Sequence, residues 1–239
     1  MRLALLFVLL AFAAGAAWAC ETESTTLSGE AVVSGIPWTA PEVARYRLMD
    51  GDDEKGTGVL RIELEDGSFR FSQEFESDEF TDSVVALADA ETMRPRSVER
   101  VIEGPDGSRR WEVSYAAGAA TVVQRTEDDQ RRDELNIPAN SYDSWTDIFL
   151  WRTVDFREGY EATYVDVLTA DLAKPQLISQ TIRVARKETV EVPAGEYDAW
   201  RVEISSDDGG QTVWYADTPG RELVRYDNGR LVFELLATE

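Results

Sequence analysis

Ala199-Trp200-Arg201-Val202-Glu203-Ile204-Ser205 decides the fold, because apolar and charged side chains alternate there with a period of two. In an extended strand successive side chains point to opposite faces, so Trp200, Val202 and Ile204 share one face and Arg201 and Glu203 the other. A sheet built of such strands has one dry face and one wet face, which is the antiparallel pattern. Working outward, the same short alternating runs recur over Val43 to Met49, Gly58 to Leu64, Phe69 to Phe75, Ser83 to Leu87, Ser97 to Ile102, Arg110 to Tyr115 and Ala119 to Arg125. They resume over Tyr160 to Leu168, Leu177 to Val192, Tyr197 to Ile204, Thr212 to Ala216, Glu222 to Tyr226 and Leu231 to Leu236. Asp66-Gly67, Pro105-Asp106-Gly107, Asp208-Gly209-Gly210 and Asp227-Asn228-Gly229 separate the runs with residues that accept the positive φ of tight hairpins. The expected fold is therefore mainly β: a curved antiparallel sheet or open half-barrel in which consecutive strands are neighbours.

One segment breaks the period. In Asn140-Ser141-Tyr142-Asp143-Ser144-Trp145-Thr146-Asp147-Ile148-Phe149-Leu150-Trp151, Asn140 or Ser141 is placed to cap a helix whose Trp145, Ile148, Phe149 and Arg152 recur at three- and four-residue spacing. This predicts one short helix covering the sheet. No repeat of solenoid or propeller length is visible.

The N-terminus reads as an export signal. Arg2 precedes an apolar run from Leu3 to Ala14, and Ala17-Trp18-Ala19-Cys20 supplies small residues at the spacing a signal peptidase reads. Ala17-x-Ala19 suits the general peptidase, and small residues ending in Cys resemble the lipobox of bacterial lipoproteins. Cys20 is the only cysteine in the chain, so no internal disulfide can form. Lipidation of Cys20 would anchor the domain, each buried methylene contributing about 0.8 kcal/mol; the alternative is a free thiol at the mature N-terminus. Residues 1–19 are thus expected as the signal, 20–41 as a Thr/Ser/Glu-rich lipid-anchored tether spanning roughly 25 Å as coil, and 42–239 as a single β-rich domain.

Composition excludes several functions. With 24 basic and 46 acidic residues the net charge is −22, which argues against a nucleic-acid partner and against flat docking on anionic headgroups. Membrane contact is expected through the N-terminal lipid. The chain has no histidine, which removes Ser-His-Asp and Cys-His catalysis and the usual zinc sites. No Walker loop or dinucleotide fingerprint is present, and no cofactor is expected. Asp50-Gly51-Asp52-Asp53-Glu54-Lys55 invites a calcium reading, but Lys55 stands where an EF-hand needs Gly and Arg61 where it needs Glu. It reads as an acidic hairpin turn. Arg109-Arg110 and Arg131-Arg132 read as surface partners of the nearby Asp128, Asp129, Asp133 and Glu134, with an anionic head-group site as the alternative.

The segment Val190-Glu191-Val192-Pro193-Ala194-Gly195-Glu196-Tyr197-Asp198-Ala199-Trp200 ends one strand, turns at Pro193, Ala194 and Gly195, and begins the next. It resembles the signature of an envelope family, domain of unknown function 3108, whose members carry a Val-Pro-Ala-Gly-(Thr/Glu)-(Phe/Tyr) turn. Val213-Trp214-Tyr215-Ala216-Asp217 and Arg221-Glu222-Leu223-Val224-Arg225-Tyr226 are also similar to it, and Gly56-Thr57-Gly58 fits its N-terminal hairpin. The resemblance implies an exported or lipid-anchored protein with a curved antiparallel sheet similar in shape to lipoprotein-carrier folds. It carries over no catalytic residue.

Taken together, these readings point to a non-enzymatic exported lipoprotein whose half-barrel binds or transfers an apolar ligand, a lipid or acyl chain. Trp145, Phe149, Trp151, Trp200 and Trp214 are the candidate lining. A structural or adaptor lipoprotein holding envelope proteins would instead show a filled core and an exposed apolar patch. A carboxylate-dependent carbohydrate enzyme would show two acids facing each other in a cleft beside an aromatic platform.

Overall fold

Along Thr212-Val213-Trp214-Tyr215 the structure buries Val213 and Tyr215 and leaves Thr212 and Trp214 partly exposed, and this period-two burial recurs along most of the described strands. The computed structural model describes residues 30–169, 174–207 and 209–239; Cys20 and the signal segment lie outside them. A first meander runs through β1 (Glu42–Asp50), β2 (Asp53–Glu65), β3 (Ser68–Glu76), β4 (Thr81–Asp89), β5 (Pro95–Gly104), β6 (Gly107–Ala116), β7 (Ala119–Arg125) and β8 (Gln130–Asn136). A second runs through β10 (Glu161–Leu168), β11 (Gln176–Val192), β12 (Gly195–Ser206), β13 (Gly209–Ala216), β14 (Leu223–Asp227) and β15 (Val232–Thr238), with the short strand β9 (Ser141–Asp143) added in parallel beside β10.

Antiparallel pairing of β1 with β15, Leu48 opposite Phe233, joins the two meanders into one open 15-stranded sheet with β8 and β9 at its edges. The hairpins form where the turn chemistry allows: Asp66 and Gly67 take φ of 47° and 74° between β2 and β3, the paired positive values a two-residue turn requires. The Asp50–Asp53 acidic stretch is likewise a turn, between β1 and β2. Pro193 and Ala194 form the turn between β11 and β12, and Gly195 opens β12 at φ 136°. Arg131 pairs with the expected Asp133 at 2.6 Å, whereas Arg110 pairs with Glu99 on the neighbouring strand at 2.8 Å and with Glu112 at 3.1 Å.

The covering segment differs from the expected helix. Ser141–Asp143 is strand β9, paired in parallel with β10, so Asn140 and Ser141 cap nothing. Asp143 is the cap, accepting from the Trp145 backbone N–H at 2.8 Å. It opens a 3-10 turn (Ser144–Thr146), a four-residue helix α1 (Asp147–Leu150) and a second 3-10 turn (Trp151–Thr153). Three- and four-residue spacing is shared by 3-10 and α turns, and the bulky residues are instead placed by what they fill. Phe149 stacks on Phe71 at 4.3 Å, Leu150 and Trp151 are buried, and the Tyr215 hydroxyl donates to Ile148 O at 2.6 Å. β8, absent from the expected strands, is the charged edge strand Gln130-Arg131-Arg132-Asp133-Glu134-Leu135-Asn136, whose composition hides its extended state and deters edge-to-edge association.

The described part of the expected tether is not a free coil. Val32 and Trp38 are buried, Ser34 N–H donates to Thr153 O at 2.9 Å, and Trp38 sits edge-on to Phe69 and Phe71 at 5.4 and 6.0 Å. Thr/Ser-rich composition concealed two apolar anchors, which strap residues 30–40 across the covering segment. No helix among the described residues is long and apolar enough to cross a membrane.

Candidate functional site

The covering segment fills only one end of the concave face. At that end the packing is close, with a void of about 10 Å³ left among Tyr46, Leu60, Ile62 and Phe149. At the other end, beyond Trp145 and Trp151, the two halves of the sheet stay apart and enclose an open cleft of about 690 Å³. Alternation on the strands supplies its apolar wall: Leu48, Leu60 and Phe75 from the first half, Leu168, Ile178, Ile204 and Phe233 from the second. Phe80, 44% exposed, stands at the lip. This volume lies in the range that holds small-molecule ligands, about 300–1,000 Å³.

Polar groups are set into that wall in two places. Asp82 and Arg100 form a buried two-point ion pair at 2.9 and 2.6 Å. The Arg100 guanidinium also lies 4.3 Å from the Trp145 ring and 5.5 Å from the Trp111 ring, while Gln73 Nε2 donates to Trp145 O at 2.6 Å. Trp145 is therefore held in place from both sides. Opposite, Gln180 Nε2 bridges two buried acids, donating to Asp166 Oδ2 at 2.6 Å and to Asp147 Oδ2 at 3.1 Å. Asp147 Oδ1 and Asp166 Oδ1 have no protein partner.

Burial dominates the ionisation of these acids, because a low-dielectric surround penalises the charged form. It raises Asp166 to about 8, with the nearby Asp143 carboxylate adding to the effect and Gln180 opposing it. Burial and the Asp166 charge push Asp147 well above the usual carboxylate range. Burial raises Asp143 to about 6, against the hydrogen bonds it accepts from Tyr115, Trp145 and Thr169. Trp151 is fixed by its indole N–H donating to Tyr164 Oη at 2.8 Å.

Of the five aromatic residues expected to line a ligand site, the structure brings two to the cleft, Trp145 and Trp151. Phe149 lies behind them on Phe71. Trp200 is set apart against Phe156 at 6.1 Å, with its N–H donating to Asp217 Oδ1 at 2.9 Å. Trp214 is on the outer face, its N–H donating to Glu188 Oε1 at 2.6 Å and its ring flanked by Arg201 and Arg225 at 5.7 and 5.4 Å. Once Val213 and Tyr215 face inward, Trp214 has to face outward, so both cannot belong to one lining. The acids Asp147 and Asp166 were not singled out from sequence. Their signal was a lone Asp inside each of two apolar runs, Trp145 to Trp151 and Tyr164 to Leu168. Among the described residues no group of three or more potential metal ligands is assembled.

Comparison with known proteins adds a family and a shape. The model of the family described as Protein of unknown function (DUF3108) matches residues 45–235. The crystal structure of a beta-barrel-like protein of domain of unknown function DUF1849 from Brucella abortus is similar at 14% identity, with a TM-score of 0.54, over 84% of this chain and 98% of that chain. A protein with a YmcC-like fold from Bacteroides fragilis NCTC 9343 is similar at 11% identity, with a TM-score of 0.28, over 87% of this chain and 99% of that one. No curated protein matches.

Proposed function

The chain belongs to the DUF3108 family of proteins of unknown function, and from its geometry we propose that it is a non-enzymatic, exported, lipid-anchored protein that binds an apolar or amphipathic ligand in the cleft of its open half-barrel. The observation that carries this reading is the contrast between the two ends of one concave face, close-packed around Phe149 and open by about 690 Å³ beyond Trp145 and Trp151. An apolar ligand there gains about 25 cal/mol per Å² removed from water, before ordering costs. Binding needs no chemistry from the protein.

The adaptor alternative calls for a filled core and an apolar surface patch. The large exposed apolar side chains among the described residues are Leu64, Phe80 and Leu236, and Phe80 belongs to the cleft lip. Sugar hydrolysis asks for two carboxyls at least about 5 Å apart with a sugar between them. Asp147 and Asp166 are instead both held by one amide nitrogen, Gln180 Nε2, at 3.1 and 2.6 Å.

The test is mass spectrometry of organic extracts from the chain carrying Cys20→Ser, so that its own acyl groups cannot contaminate the result. A stoichiometric apolar or amphipathic compound supports the reading. Extracts that remain empty after incubation with membrane lipids turn the assignment to the adaptor.

A further inference from the structure

The turns that frame the cleft mouth carry much of the acidic excess. Strand pairing puts the β1–β2, β3–β4, β5–β6 and β12–β13 connections at one end of the sheet: Asp50 pairs with Asp53, Glu76 with Thr81, Gly104 with Gly107 and Ser206 with Gly209. Phe80, Ser206 and Gly209 line the cleft at that end. Around them stand the exposed carboxylates of Asp52, Asp53, Asp78, Glu79, Asp106 and Asp207. The cations at this end are Lys55, paired to Asp53 at 3.2 Å, Arg109 beside the β5–β6 turn, Lys174 before β11 and Arg230 on the β14–β15 turn, fewer than the acids. Inside, Arg100 is engaged by Asp82, and the buried acids Asp147 and Asp166 are among the residues around the cleft.

Resting on the ligand-binding reading above, we propose that the cleft selects an amphipathic cation, a molecule with an apolar body and a protonated amine, and discriminates against amphipathic anions of the same size. Two independent features favour it. A rim of one sign focuses the field at the mouth and raises the local concentration of a positive ligand by about tenfold or more at low salt. Within the wall the buried cation among the lining residues, Arg100, is already engaged by Asp82, so a carboxylate finds no counter-ion there. The apolar walls then take the body of the ligand.

The experiment compares dodecylamine, dodecanol and dodecanoate, one chain length with three head groups, below their micellar concentrations at pH 7. Binding to the exported chain carrying Cys20→Ser is read by calorimetry. The expected result is an order of affinity amine, alcohol, carboxylate, with about a tenfold gap between first and last that narrows as salt is raised. Substituting the exposed rim acids together (Asp78→Asn, Glu79→Gln, Asp106→Asn) should shrink the gap severalfold while leaving dodecanol unchanged. Ile178→Trp, which fills the cleft, should abolish binding of all three. Dodecanoate binding as tightly as dodecylamine overturns the selectivity and leaves the ligand-binding reading standing. Amine binding that survives Ile178→Trp is surface association and overturns it as well. If none of the three binds, the ligand-binding reading itself fails.

Discussion

The Arg152 guanidinium grips both carboxylate oxygens of Glu42, at 2.7 and 3.0 Å, and so ties the covering segment to the first strand of the sheet. The same Arg152 Nη2 donates to Gly220 O at 2.6 Å, and the guanidinium lies 5.1 Å from the Trp38 ring. One side chain therefore joins β1, the loop before β14, the strap and the covering segment. Removing one partner of a buried pair leaves the other charged and uncompensated, at a cost of about 3–5 kcal/mol. Arg152→Met should lose stability on that scale in urea unfolding, and Arg152→Met with Glu42→Met should lose less than the two single changes summed. Additive losses would show that the pair is not a coupled unit.

The strap makes a second, separable claim. Trp38 is 6% exposed, between Phe69, Phe71 and Arg152. Truncating a buried Trp to Ala costs about 3–5 kcal/mol, so Trp38→Ala should lower the urea midpoint strongly. A chain beginning at Glu42 should be destabilised at least as much, and one beginning at Glu30 should match one beginning at Cys20. Equal stability of all three would return residues 30–41 to a tether.

How far the sequence disclosed this arrangement depends on what each residue answers to. Period-two runs such as Trp200 to Ile204 answer to the sheet they lie in, and the strands, the hairpins at Asp66-Gly67 and the turn at Pro193-Ala194 could all be read locally. β8 answers to being an edge, which its charged residues do not announce. Trp38 and Val32 answer to a partner surface made by β3 and the covering segment, far away in sequence. The site was less legible than the fold. Trp145 and Trp151 were identified by size, but size also brought in Trp214, whose outward direction follows only from the register of β13. Asp147 and Asp166 meet because β10 and the covering segment are brought together, and a single sequence does not display that juxtaposition.

Stability should fall as pH rises from mildly acid to alkaline. Burial raises Asp166 to about 8 and Asp143 to about 6 in the folded chain, against about 3.9 unfolded. Between those limits the native state binds more protons than the unfolded state. Their stabilising protonation is full below about pH 4 and lost as pH passes through 6 and then 8. Each group contributes at most about 1.4 kcal/mol per pH unit over its window. Asp89, held at about 2 chiefly by its hydrogen bond from Arg96, acts in the opposite sense and only in strong acid. Thermal melts from pH 5 to 9 should show a falling Tm in the wild-type chain and a shallower fall in Asp166→Asn. A Tm that rises across that range would contradict the burial of these acids in their protonated form.

The two aromatic groupings should separate cleanly in a binding assay. Trp145 and Trp151 line the open cleft, whereas Trp214 is clamped outside by Glu188, Arg201 and Arg225, and Trp200 rests on Phe156. N-phenyl-1-naphthylamine, a neutral apolar fluorophore, should brighten in the wild-type cleft and equally in Trp214→Phe and Trp200→Phe. Ile178→Trp adds bulk on the cleft wall, where a partly exposed side chain has room to grow, and should remove the signal while far-ultraviolet circular dichroism stays that of the wild-type sheet. If Trp214→Phe loses the fluorescence and Ile178→Trp keeps it, apolar ligands are held on the outer face and the concave cleft is not the binding site.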